Sequence, residues 1–348
     1  LPKATFLEMK ARMEVFLADG EGRYTHDLPG WNQFRTTVCR GMYIFGRPLP
    51  ADRELEKAAR NVFVELIATP ANKAVVMAAG GSQTELGATV INRRIELYNR
   101  RLGRGGPAAQ PGFGVEPTVR REITTEDVAA LLFAESLAPQ TAARVPRAAS
   151  ISVLVNSTSF CTLARDVTDK GKVYRAVAIA WLDSRMNPMD LTYGLTIASN
   201  LGLTEQSTRA AVRLLTIPGA TAQNRALAAN TLRSIGGREH IPLLEPAFED
   251  TNVLTMARPV RGRVNIMDDE NIPEIQVRDF ALAVAIQLAG EKPEDYGFID
   301  QLKENSAAIN GGIGYSYTRY YVPDDKRAAA FEKWKEWWAR NKNKSRGD

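Results

Sequence analysis

TAQNRALAANTLRSIGGREHIPLLEPAFED, residues 221–250, is the stretch on which the fold turns. Ala226, Leu227, Ala229, Leu232 and Ile235 recur at mixed three- and four-residue steps, the spacing of one helix face. Gly236-Gly237 ends that helix, because glycine takes the left-handed conformation of a helix terminus at little cost. Ile241, Leu243, Leu244 and Phe248 then rebuild an apolar stripe, and Pro242 falls where a first-turn proline forfeits no hydrogen bond. The spacing thus predicts a helix, a two-glycine break and a second helix. The short side chains of Ala228 and Ala229 would let another helix approach closely.

This pattern resembles the HEAT-like (armadillo-type) helical repeat of bacterial type. Arg225, Ala228, Leu232, Ile235 and Gly236-Gly237 carry the resemblance, followed by Ile241-Pro242-Leu243-Leu244 and Phe248-Glu249-Asp250. A single helical hairpin cannot bury its own apolar face, so the resemblance implies neighbours on either side. Val277 to Gly290 aligns with Asn224 to Gly237 at an offset of 53, placing Arg278 on Arg225, Ala281 on Ala228 and Gly290 on Gly237. Tyr174 to Leu182 aligns at an offset of 50, with Arg175, Ala178 and Leu182 equivalent to Arg225, Ala228 and Leu232. The resemblance covers about residues 172–290 and implies an all-α fold, an α-solenoid of stacked antiparallel helical hairpins with an irregular N-terminal part. It implies no particular activity.

Composition is that of an ordinary folded domain, with 44% hydrophobic and 24% charged residues. No uninterrupted apolar run reaches the ~18 residues of a membrane span; the longest candidate is Ala281 to Ala289. Lys and Arg outnumber Asp and Glu by 45 to 40, a net charge of +5 that falls short of a dedicated nucleic-acid binder. The chain opens at Leu1, which fits a removed signal peptide, a trimmed end or omitted residues; the first would favour an extracytoplasmic, periplasmic location over a cytoplasmic one. Compartment stays open. Cys39 and Cys161, the only cysteines, exclude a disulfide framework and read as buried thiols.

Taken in order, residues 4–17 have the pattern of a short amphipathic helix. The following stretch is loop-like, pinned by Tyr24, Trp31 and Phe34, and Thr37 to Phe45 reads as a strand or a short buried helix. Helices are expected from Asp52 to the residues before Thr69-Pro70, over 70–79, and over Leu86 to Leu102. Four glycines and three prolines between Gly105 and Pro117 exclude a packed helix there. Thr124 and Asp127 form a capping-box pair before the next helix, and Ile151 to Val155 has strand composition. Helices then follow over 172–186, 188–201 and 204–215, and the charged 256–271 stretch reads as a long loop between repeats. Asp324 to Arg340 is a final helix with Phe331, Trp334, Trp337 and Trp338 near one side, as a terminal cap would be. The expected divisions are 1–118, 119–323 and 324–348.

The chemistry-bearing candidates are few. His26 and His240 are the only histidines and have no acidic partners at ligand spacing, so the ligand count fails for a metal enzyme. Gly-x-Ser-x-Gly is absent, and neither Gly103-Arg104-Gly105-Gly106 nor Gly311-Gly312-Ile313-Gly314 continues into Gly-Lys-Ser/Thr. No catalytic residue, cofactor or metal is expected. Three surfaces stand as binding candidates: the basic face of Arg93, Arg94, Arg100, Arg101 and Arg104; the loop carrying Arg258, Arg261 and Arg263; and the aromatic run of Tyr315, Tyr317, Arg319, Tyr320 and Tyr321. The aromatic run also suits simple packing against the final helix. The reading is a non-enzymatic scaffold, a structural subunit of a larger complex whose partners are other proteins or copies of itself. The rivals are a nucleic-acid-binding repeat, including one of DNA-glycosylase type, and a small-ligand or cofactor-associated enzyme.

Overall fold

Helices dominate because the apolar faces and stop signals recur at helical intervals, and the computed structural model describes residues 30–39, 43–44, 47–48, 53–80, 84–101, 122–137, 148–256, 274–300 and 319–342. The fold is all-α, its strands confined among the described residues to three two-stranded antiparallel ribbons. The chain divides into two compact units, Leu1–Met186 with Thr196–Leu203, and Asn187–Leu195 with Thr204–Asp348. The expected helix over 4–17, the 105–117 stretch and most of the 256–271 loop lie outside the described residues.

In the first unit, α1 (Trp31–Val38), a ribbon of β1 (Tyr43–Ile44) and β2 (Arg47–Pro48), α2 (Arg53–Ile67), α3 (Pro70–Gly80) and α4 (Thr84–Arg101) precede α5 (Thr125–Leu137). There follow α6 (Ala148–Ser157), α7 (Phe160–Arg165) and α8 (Asp169–Asp183). Every residue of α5 from Asp127 to Glu135 is buried. A helix apolar on all sides must be covered on all sides, and α2, α3, α6 and α8 pack around it. Its start is the expected capping box: Thr124 Oγ1 accepts from the Asp127 N–H at 3.2 Å, and Asp127 Oδ2 accepts from the Thr124 N–H at 3.0 Å.

Two expectations in this unit are corrected. The loop through Trp31 and Phe34 is instead α1, entered from Gly30 at φ 86°. Trp31, Phe34 and Val38 are all buried on one side of it, and the Phe34 ring lies 5.2 Å from Phe63 and 5.1 Å from Phe133. Strand-like Ile151 to Val155 is helix, with Ile151, Leu154 and Val155 buried at helical spacing. Packing against α5 here overrides β-propensity, which is a statement about fit to a surface more than about backbone.

The helix α9 (Pro188–Asn200) contributes to both units. The second unit continues with α10 (Thr204–Thr216), α11 (Ala222–Ile235), a 3₁₀ segment (Arg238–Ala247), and β3 (Val253–Met256) paired with β4 (Glu274–Gln276). Then come α12 (Val277–Leu288), a 3₁₀ turn (Pro293–Tyr296), β5 (Ile299–Asp300) paired with β6 (Tyr320–Tyr321), and α13 (Asp324–Asn341). Here α12 is the wholly buried element, from Asp279 through Ile286, with α11, the first 3₁₀ segment, β6 and α13 against it. Successive helices α10, α11 and α12 pack each on the next.

The aligned helices α11 and α12 end at Ile235 and Leu288, 53 residues apart, but begin at Ala222 and Val277, 55 apart. Each start is a capping box, Thr221 with Asn224 and Gln276 with Asp279. The three aligned arginines have different partners: Arg225 donates to Asp250, Arg278 to Gln276 Oε1, and Arg175 to the Gly202 carbonyl.

The second half of the 221–250 stretch is not the expected α-helix. Pro242 and Pro246 each lack an N–H, so two α-type hydrogen bonds on one side of the segment cannot form. The chain tightens to 3₁₀ geometry, and Ile241, Leu244 and Ala247 are buried at the three-residue repeat of that helix. The β3–β4 ribbon that brackets residues 257–273 was not anticipated either.

Arg225 and Asp250 tie α11 to the end of this segment. Burial works to raise the Asp250 carboxyl, but the Arg225 guanidinium and both N–H donors of Asn252, at 3.0 and 2.6 Å, outweigh it and hold the carboxyl below its ordinary range. A depressed carboxyl contributes stability above its unfolded pKa of about 3.9 and loses it as pH falls through the folded value. Asp250→Asn should therefore flatten the loss of unfolding free energy on acidification below about pH 4, measured by urea titration at stepped pH; an unchanged slope would refute the assignment.

Candidate binding groove

The helix α13 forms one bank of the candidate site. DDKRAAAFEKWKEWWARN contains no glycine, proline or β-branched residue, and Asp324 and Asp325 sit in the first turn, where the helix dipole favours anions. Arg327, Ala330 and Trp334 are its buried residues, at three- and four-residue steps. Trp334 is 2% exposed and stacks with Trp337 at 5.3 Å and Trp338 at 5.7 Å, and its other neighbour Tyr296 lies 6.1 Å away. Burial, with Glu291 and Asp295 adding to it, pushes the Tyr296 phenol up to about 12.

Between α13 and the end of the first 3₁₀ segment runs a groove of about 480 Å³. Its lining combines Phe248, Phe331, Trp334 and Trp338 with Glu245, Glu249, Asp324 and Glu332, and with Arg278, Arg327 and Lys335. Phe248 and Phe331 meet edge to face at 6.2 Å, which joins the two banks. Phe248, Phe331 and Trp338 are half-buried, while Glu245 and Glu249 are exposed. Beneath the groove Arg327 donates to both oxygens of fully buried Asp279, at 2.8 and 3.0 Å, and pairs with Asp324 at 2.6 Å. Burial pushes the Asp279 carboxyl up, against the pull of Arg327 and of the Gln276 N–H.

The residues singled out from the sequence fall in different places. On α4, Arg93 and Arg100 are exposed, as a basic face requires. Arg94 is not part of that face: it pairs with Asp127 at 2.9 Å, donates to Asn72 at 3.2 Å and lies 4.7 Å over the Tyr98 ring. Arg101 is the last residue of α4, and its side chain, like Arg104, Arg258, Arg261, Arg263, Tyr315 and Tyr317, lies outside the described residues. Arg319 forks onto Asp300 at 3.0 and 3.3 Å and covers the Tyr320 ring at 4.9 Å. Tyr320 is buried on β6 and Tyr321 half-buried, both in the core cluster of the second unit or packed on it. The basic face and the aromatic run belong to different units.

Glu245, Phe248 and Glu249 were not singled out as a site, although Phe248-Glu249 stood in the opening stretch; the clue was the pair of carboxylates four residues apart flanking an aromatic. Among the described residues no cluster of three or more His, Cys, Asp or Glu side chains is placed to hold a metal ion. None of their helices is long and apolar enough to cross a membrane. No protein-family model, curated protein or solved structure matches the chain.

Proposed function

We propose that the chain is a non-enzymatic binding subunit, a scaffold that holds a segment of another protein on the surface of a HEAT-like α-solenoid of helical hairpins. Support for the repeat comes from the second unit, where α10, α11 and α12 pack in sequence and α11 and α12 are each capped at the start and glycine-terminated. Support for binding comes from one observation: the groove beside α13 leaves aromatic rings half-open next to exposed carboxylates. Aromatic anchors ringed by polar groups are what concentrate energy at protein interfaces.

A photoreactive phenylalanine analogue at Trp338, compared with one at exposed Met77 in the first unit, tests this by irradiation in native extract. A discrete protein adduct from position 338 alone is expected. No adduct there, or the same adducts from both positions, would show that the groove is not the binding surface. The exposed Arg93 and Arg100 favour the second reading, nucleic-acid binding, and salt-dependent retention of duplex DNA lost on Arg93→Ala would establish it instead.

A further inference from the structure

We infer that the groove beside α13 takes an arginine-bearing segment of the partner protein, the guanidinium lying against the aromatic lining and hydrogen-bonded to Glu245 or Glu249; this rests on the binding-subunit reading above. Two of the groove's own cations are already ion-paired. Arg327 is shared between Asp279 and Asp324, Lys335 holds Glu332 at 2.9 Å with Glu249 also acting on its charge, and the Arg278 Nε donates to Gln276 at 2.7 Å. In the lining four carboxylates, Glu245, Glu249, Asp324 and Glu332, stand against three cations, and Arg327 is further shared with Asp279 beneath. That surplus of negative charge stands on a chain whose net charge is +5. Glu245 and Glu249 are the exposed acids of the 3₁₀ bank, beside half-buried Phe248.

An incoming cation must therefore satisfy carboxylates at its edge and lie on an apolar ring with its face. A guanidinium does both: it is planar, weakly hydrated on its faces and donates in a fixed fork, whereas an ammonium is a strongly hydrated point charge. The second unit already packs Arg319 this way, forked onto Asp300 and 4.9 Å from the Tyr320 ring centroid, while Arg238 lies 5.8 Å from that of Trp337 with its donors on the Ala289 carbonyl.

The test pans a random dodecapeptide display library on the full chain and measures the enriched peptides by fluorescence anisotropy. Enriched sequences should carry arginine beside an apolar residue. Replacing that arginine by citrulline, or introducing Glu245→Gln/Glu249→Gln, should weaken binding by roughly tenfold or more. Glu245→Lys/Glu249→Lys should redirect selection to acidic peptides. Both glutamates are exposed, so these variants should keep the wild-type urea midpoint, which is checked first. Peptides that bind equally to the charge variants but are lost on Trp338→Ala would overturn the arginine assignment and leave the groove reading standing. Peptides insensitive to Trp338→Ala would overturn both. Binding seen only after deletion of residues 343–348, which include Lys344 and Arg346, would make the chain's own tail the occupant and overturn the partner assignment.

Discussion

Arg185→Ala should lower the unfolding free energy of the first unit by about 3–5 kcal/mol, because it takes away the cation paired with a buried carboxylate. Arg185 is 2% exposed and Glu135 3%. Its guanidinium reaches Glu135 Oε2 at 3.3 Å and the Glu135 carbonyl at 2.8 Å, and donates to the Trp181 carbonyl at 3.1 Å. The same group lies 4.8 Å from the Trp181 ring centroid. One side chain thus closes the end of α5 onto the end of α8, satisfying the Glu135 carbonyl near a helix terminus and adding a donor to that of Trp181, which Ser184 also reaches. Removing it takes a charged hydrogen-bond partner from Glu135, whose carboxylate stays in a buried site that penalises charge. The double variant Arg185→Met/Glu135→Leu should recover most of the loss, since replacing both charges by apolar groups of similar volume is close to neutral. Urea denaturation followed by tryptophan fluorescence measures both. A loss under about 1 kcal/mol for the single variant would show that the pair is effectively solvated.

Arg327→Met should be comparably severe in the second unit, at about 3–5 kcal/mol. Asp279 is fully buried, and Arg327 supplies two of its hydrogen bonds while the Gln276 N–H supplies another at 3.1 Å. Asp279 is also the capping-box residue of α12, so its carboxylate cannot turn away without opening the start of that helix. Arg327 additionally donates to the Glu274 carbonyl at 3.2 Å, tying α13 to β4. Hydrogen exchange should therefore rise in α13 and in the first turn of α12 more than in α10, a pattern that a generally loosened core would not give. Uniform acceleration across the unit would contradict the localised role of the pair.

Much of the helical order was readable because it depends on neighbours in sequence. The Thr124–Asp127 capping pair placed the start of α5, the glycine stops at Gly236-Gly237 and Gly290 placed the ends of α11 and α12, and the 3.6 repeat of α13 placed its aromatics on one side. What escaped was set by distant contacts or by weak local marks. α1 has only eight residues, and its helical state rests on burying Trp31 and Phe34 against Phe63 and Phe133. The 3₁₀ segment hinged on Pro246 as much as on Pro242. Arg94 looked like its neighbours Arg93 and Arg100, yet its partner Asp127 lies 33 residues on. The candidate groove was half-legible for the same reason: the rings of α13 show a helical spacing, whereas Phe248 and Glu249 reach them only through the tertiary fold.

The prolines at 242 and 246 have a last consequence. Each fixes one backbone torsion before the chain folds, so the bank they build has fewer shapes to abandon than an ordinary loop of ten residues. Facing it is a continuous helix of 18 residues. A segment docking in the proposed groove would meet walls that were set in advance, and what it would surrender is mostly its own freedom.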